Sequence, residues 1–421
     1  MDSIKTTTLP SGLRIVTDCV KEVESVAVGV WVGVGTRNED LAHNGAAHMV
    51  EHMLFKGTQK RSARQISEEI ENVGGHMNAY TSREITSYHI HLLKNDLPLA
   101  LDVLADIIQE STMPEDEIER ERGVILQEIG MCNDTPDDVI FDHYYETAYP
   151  EQSLGAPILG KSEIIQSITR DQLRAYTKTL YTPNRMVISA AGNVDHEDFV
   201  AQIIALFNAL PDDQEHEKAP ARYKGGSEFR LEKDLEQAHI ILGYNGISRL
   251  DSNYHTAQTL GTLLGGGMSS RLFQEVREKR GLVYSIFSFH SACSDSGQFM
   301  IYAGTGPEKL PELIPVICDE IKAVSKNITP TELARAKAQL KATTLIARES
   351  MTSRADQNAK CMLTRGHVRS AEQIIELYDN VALKDVENVA QKIFSSRVTL
   401  AALGPLSQLE PFEKIQSRLQ T

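Results

Sequence analysis

An α+β fold in two halves of like design is what this sequence predicts, from three observations. Val26, Val28, Val30, Val32 and Val34 recur at every second position, the period of a strand with one heavily apolar face. Segments with helical patterning lie around 41–55, 62–73, 97–110 and 114–133, the last opening just after Pro114. Features of the first half return in the second: Leu272-Phe273 echoes Leu54-Phe55, and the helix opening Thr329-Pro330-Thr331-Glu332 echoes Met113-Pro114-Glu115-Asp116, at offsets of 218 and 216 residues. A spacing this long is no solenoid repeat. It favours a duplication over two unrelated α+β domains with chance echoes.

The remaining elements fall in order. Pro10-Ser11-Gly12 reads as a turn before the valine strand, and a second strand region runs from His76 through Ile90-His91-Leu92. Residues 207–226 contain NALPDDQEHEKAPARYKGG, charged and broken by proline and glycine. They are the expected linker between a first domain, 1–206, and a second, 227–421. The run Leu264-Gly265-Gly266-Gly267-Met268-Ser269 is not a phosphate-binding loop, because no Gly-Lys-Ser/Thr follows, and a turn with tight packing explains it.

Composition narrows the function. With 421 residues, 41% hydrophobic and 24% charged, the chain can bury more than one core. A formal net charge of −15 offers no basic footprint for nucleic acid and suits basic or unfolded-peptide substrates. No run approaches 18 apolar residues, so no membrane span is expected. The opening MDSIKTTTLPSGLRIV resembles neither a secretory signal nor an arginine-rich presequence, so the chain is expected to work in the compartment that made it, a cytoplasmic location. Cys19, Cys132, Cys293, Cys318 and Cys361 are scattered without a CxxC, as free thiols in a reducing compartment would be.

The chemistry concentrates in Gly45-Ala46-Ala47-His48-Met49-Val50-Glu51-His52-Met53-Leu54-Phe55. On a helix, His48 and His52 share one face and can present two imidazole nitrogens to one ion, with Glu51 beside it. This is HxxEH, the inverse of HExxH and a zinc-protease signature. A third ligand has to come from elsewhere. The helical segment EIERERGVILQEIG, residues 117–130, carries Glu121 and Glu128 two turns apart, so that one can bind metal while the other supports a ligand.

These motifs resemble the M16 (pitrilysin-type) zinc metallopeptidase family, closest in pattern to the β subunit of mitochondrial processing peptidase and its bacterial homologues, over essentially the whole chain. The family's glutamate ligand lies 76 residues beyond the second histidine, which falls on Glu128, and its supporting glutamate seven residues earlier falls on Glu121. The resemblance implies one Zn²⁺ per chain on His48, His52 and Glu128, with Glu51 as general base. It implies an α+β fold of two homologous domains, each a mixed or antiparallel sheet packed with helices, as in LuxS and processing-peptidase metallohydrolases. Gly75-His76-Met77-Asn78-Ala79-Tyr80-Thr81 resembles the family's edge strand for an extended peptide, contacted at Asn78 and Ala79. Arg277 and Tyr284 resemble its substrate-binding arginine and tyrosine.

The second half has GGGMSSRLF where the first has AAHMVEHMLF, and the equivalent of Glu128 falls near Thr344. It is therefore expected to be noncatalytic and substrate-binding. The function so implied is a zinc endopeptidase cutting unfolded or extended peptides near basic residues, as a homodimer or as a heterodimer with a noncatalytic homologue. The alternative is a noncatalytic core subunit of the same fold. Such subunits carry damaged zinc motifs, whereas all four key residues are intact here.

Overall fold

The structure, a computed structural model, describes residues 3–213 and 218–420. The chain divides into two compact units. The first holds Met1–Gly130, Ala156–Ala219 and Ile346–Arg369, and the second holds Met131–Gly155, Pro220–Leu345 and Ser370–Thr421. The passage at 219–220 falls inside the segment 207–226, of which residues 214–217 lie outside the described residues. The two further exchanges are absent from a division into 1–206 and 227–421.

The first unit is built on six strands: β1 (Ile4–Thr8), β2 (Arg14–Cys19), β3 (Ser25–Val32), β4 (His76–Thr81), β5 (Thr86–Leu93) and β6 (Met186–Gly192). Their order is β1-β2-β6-β3-β5-β4, antiparallel except for β2 against β6. The strand region expected over 76–92 is thus a hairpin. It turns where the Ser82 N–H and hydroxyl both donate to the Ile85 carbonyl. Val28, Val30 and Val32 point into a core shared with helices α1 (Ala46–Leu54), α2 (Ala63–Glu71) and α3 (Leu97–Glu110). The expected helix 41–55 is shorter than its pattern, because Gly45 takes φ +97° and separates a single turn, Leu41–His43, from α1. Met49, Val50, Met53 and Leu54 of α1 enter the core, which leaves His48, Glu51 and His52 on the other side of the helix.

The exchanged segment completes this unit. Helix Met351–Arg365 lays Met351, Ala355, Ala359 and Met362 over the sheet face that carries Val16, Trp31 and Val187. Those residues recur at helical spacing in an otherwise polar stretch, so the stripe is narrow and hard to read from sequence. Polar anchors fix it. Asp356 accepts from Trp31 Nε1 at 3.0 Å and Tyr80 Oη at 2.6 Å. The fully buried Asp18 accepts from Arg354 at 3.1 Å and lies 3.4 Å from Arg348.

The second unit repeats this plan with β7 (Glu228–Glu232), β8 (Ala238–Asn245), β9 (Ser285–Ala292), β10 (Gly297–Thr305) and β11 (Thr399–Gly404). The order is β7-β11-β8-β10-β9, with only β7 and β11 parallel. Strand for strand this matches β2-β6-β3-β5-β4, so the likeness of the halves extends to topology. Its exchanged helix, Pro136–Ala148, supplies Val139, Ile140, Tyr144 and Tyr145 to the face bearing Ile241, Met300 and Ala401. The glycine run ends the helix Tyr254–Gly265, and a Cβ on Gly265 would lie 2.3 Å from the Ser288 nitrogen of β9. Close packing forces that glycine.

Removing one partner from a buried ion pair strands the other charge. Asp18→Asn keeps the shape and removes the charge facing both arginines. It is expected to lower the unfolding free energy of the first unit by about 3 kcal/mol in urea titrations. A loss below about 1 kcal/mol would mean that apolar contact alone holds Met351–Arg365.

Candidate metal centre

Helix α1 sets His48 and His52 one turn apart, with ring centroids separated by 4.6 Å. Helix α4 (Glu115–Asn133), anchored in the core by Ile118 and Ile125, brings Glu128 to them. One oxygen of Glu128 lies 3.7 Å from His48 Nε2 and 3.8 Å from His52 Nε2. The ligand atoms of the three residues lie within 4.8 Å of one another, the one such His/Cys/Asp/Glu group among the described residues. Those separations are too long for hydrogen bonds. They suit donors that each reach about 2 Å to a shared ion.

The protonation chemistry fits as well. Burial, with a smaller contribution from His52, pushes the His48 pKa down to about 4, so its ring is neutral and offers a lone pair. His52 Nδ1 lies 2.8 Å from Glu121, which Lys56 also contacts at 2.7 Å. Burial would raise the Glu121 pKa, but the bonds to Lys56 and His52 outweigh it and hold it below the usual range. An ionised Glu121 places the proton of His52 on Nδ1 and leaves Nε2 free to ligate. His48 Nδ1 is buried and has no hydrogen-bond partner among the described residues.

Glu51 projects from the same side of α1 and accepts a hydrogen bond from Thr81 at the end of β4. Burial raises its pKa, offset in part by Thr81 and His52, while Glu128 adds to the rise. A carboxylate raised this way is a better proton acceptor than one in water.

The other sequence-predicted residues fall in two places. Asn78 is exposed on β4, the strand at the sheet edge, and its side-chain oxygen accepts the N–H of half-buried Ala79 at 2.8 Å. Arg277 and Tyr284 belong to the second unit. There the Arg277 guanidinium lies 5.7 Å from the centroid of the Tyr284 ring and 4.8 Å from that of Phe273. Tyr284 is 75% exposed. Thr344 spends its hydroxyl on the Leu340 carbonyl of its own helix. Sequence reasoning missed Thr81 and Lys56. The latter carries a signal, since it follows His52 by one helical turn.

Two family models match the chain. One, described as insulinase (peptidase family M16), covers residues 14–162, and the other, described as peptidase M16 inactive domain, covers 167–340. An uncharacterized zinc protease of Streptomyces coelicolor is 41% identical over 414 residues, 96% of this chain and 90% of its own length. One from Bacillus subtilis is 39% identical over 408 residues, 96% of this chain and 98% of its own. A solved protease structure from Helicobacter pylori aligns with a TM-score of 0.89 at 25% identity, covering 96% of this chain and 99% of that one. A peptidase M16 inactive domain from Pseudomonas fluorescens, 21% identical, shares the fold with a TM-score of 0.90 over 97% of this chain and 99% of its own.

Residues that orient metal-binding imidazoles are worth about 10–100-fold in affinity. Glu121→Gln is accordingly expected to weaken divalent-ion binding by that factor in chelator competition. Unchanged affinity would reduce the Lys56–Glu121–His52 chain to a structural ion pair with no part in metal binding.

Proposed function

This chain belongs to the M16 family of peptidases, and from that premise we propose that it is a zinc-dependent endopeptidase acting on unfolded or extended peptides near basic residues. The observation that carries the reading is the convergence of His48, His52 and Glu128, with Glu51 beside them on the same helix. His48, His52 and Glu128 hold one Zn²⁺ per chain. Bound zinc supplies a Lewis acid that polarises a peptide carbonyl and acidifies water.

The chain's own residues do the rest. Glu51, with its raised pKa and its Thr81 hydrogen bond, takes a proton from the attacking water and returns it to the leaving amine. Glu121 keeps His52 in the ligating tautomer. Asn78 and Ala79, on an edge strand, bind the substrate backbone in extended form. Arg277 and Tyr284 hold the scissile carbonyl, the phenol donating to the oxygen on which charge develops. The acidic balance of the chain favours basic peptides. Two such chains, or one with a noncatalytic homologue, form the working assembly, and the bacterial cytoplasm is its location.

The rival reading is a noncatalytic core subunit, and the family description "inactive domain" supports it, while a solved structure bearing the same words is 21% identical and shows the fold alone. That description falls on residues 167–340, beyond His48, Glu51, His52 and Glu128. It therefore fits a division of labour within one chain.

The deciding experiment compares wild type with Glu51→Gln for zinc content and for cleavage of a basic, internally quenched fluorescent peptide. Wild type is expected to hold one zinc and cleave, and E51Q to keep zinc while losing at least about 100-fold in rate. Wild type with neither zinc nor cleavage after metal resupply would put the core-subunit reading first. Tyr284→Phe separates the second unit's part: kcat is expected to fall about 100–1000-fold with zinc retained. An unaffected kcat would remove Tyr284 from the chemistry.

A further inference from the structure

The two histidines of α1 are not held alike. Glu121 fixes the ring of His52 through Nδ1, but the corresponding nitrogen of His48 is buried and has no hydrogen-bond partner among the described residues. The aim of His48 rests on packing and on the backbone of the first helical turn, where it is the third residue.

That turn lacks the usual means of fixing itself. The first N–H groups of a helix have no partner inside it, and an Ser, Thr, Asp or Asn side chain commonly serves them. Here the capping position is Gly45, in a left-handed conformation with no side chain. A Cβ there would lie 2.5 Å from Ile165 and 2.9 Å from Gly160, so no capping side chain fits. The cap comes from six residues upstream. Glu39, 7% exposed, accepts the Ala47 N–H on one oxygen at 2.7 Å. Its other oxygen accepts the Gly45 N–H and the Asn44 side-chain amide, each at 3.0 Å. Burial pushes its pKa up to about 7, against the opposing pull of these donors. A carboxylate at this end of a helix also meets the positive pole of the peptide dipoles.

We propose that Glu39 is a positioning residue for His48, doing through the backbone of the first turn what Glu121 does for His52 through the ring. The proposal rests on the zinc reading above. Ala47, whose N–H Glu39 holds, is bonded directly to His48, so a shift at one is a shift at the other.

The test is Glu39→Gln. The carboxamide keeps the shape but turns an NH2 towards a backbone or Asn44 donor, leaving that donor unpaired. Asp18→Asn serves as a control that loosens the same unit where Arg348 and Arg354 meet β2 rather than at the first turn of α1. Zinc affinity is read by competition with a chromophoric chelator, beside the melting temperature of the metal-free proteins and kcat and KM on the fluorescent peptide. E39Q is expected to bind zinc about 10–100-fold more weakly and, at saturating zinc, to lose about 10-fold in kcat with KM within twofold. D18N is expected to keep wild-type zinc affinity despite a lower melting temperature. If E39Q only melts earlier, with zinc affinity within twofold of wild type, Glu39 is a helix cap and nothing more. If E39Q does not fold, Asn44→Ala, which removes one of the three donors, is expected to weaken zinc about threefold, and unchanged affinity there overturns the proposal. Wild type that binds no zinc would overturn the underlying function as well, an outcome distinct from wild type that binds zinc while E39Q does not differ.

Discussion

Two imidazoles one helical turn apart can serve a single ion only if a third donor arrives from a different element at the right depth. That constraint organises the first unit. Helix α1 must bury Met49, Val50 and Met53 to stay seated, and its register then fixes where His48 and His52 emerge. Helix α4 must bury Ile118 and Ile125 in the same core, and Glu128 follows from Ile125 by three residues. The site is a by-product of two helices whose apolar faces have no freedom to rotate.

Three carboxylates crowd these histidines, and their surroundings drive them apart in character. Glu121 is kept ionised by Lys56 and His52 despite its burial. Glu51 is moved the opposite way by burial, with Glu128 adding to it. Neighbouring acids with separated affinities for the proton are what acid–base work near neutral pH requires. No residue type distinguishes these roles, since all are glutamates, and what differs is the company each keeps.

The sequence was legible where a period repeats or a spacing is chemical. The alternating valines became β3, the patterned segments became α1 to α4, and the HxxEH spacing put His48, Glu51 and His52 on one helix, whereas the choice of Glu128 over Glu121 came only from the family resemblance. Position along the chain was a poorer guide. The helix Met351–Arg365 joins the first unit because four apolar residues in a polar stretch meet the Trp31 face, a match visible only once both partners are folded. Thr81 and Glu39 were invisible for a related reason. Thr81 meets Glu51 from a different element, and Glu39 caps α1 from outside the helix through three hydrogen bonds across a turn, and neither arrangement leaves a familiar local pattern.

The exchange of segments has a consequence for a chain made from one end. Asp18 leaves the ribosome well before the arginines that face it, since Arg348 and Arg354 lie more than 300 residues later. At synthesis rates of roughly 5–20 residues per second, that interval is on the order of 20–60 s. Until it ends the Trp31 face of the first sheet stays uncovered by Met351–Arg365, although every ligand of the candidate metal centre has been made once Glu128 is added. The nascent protein therefore passes through a stage with its chemistry translated and half of its shelter missing, a stage in which a holding chaperone would find an apolar sheet to cover.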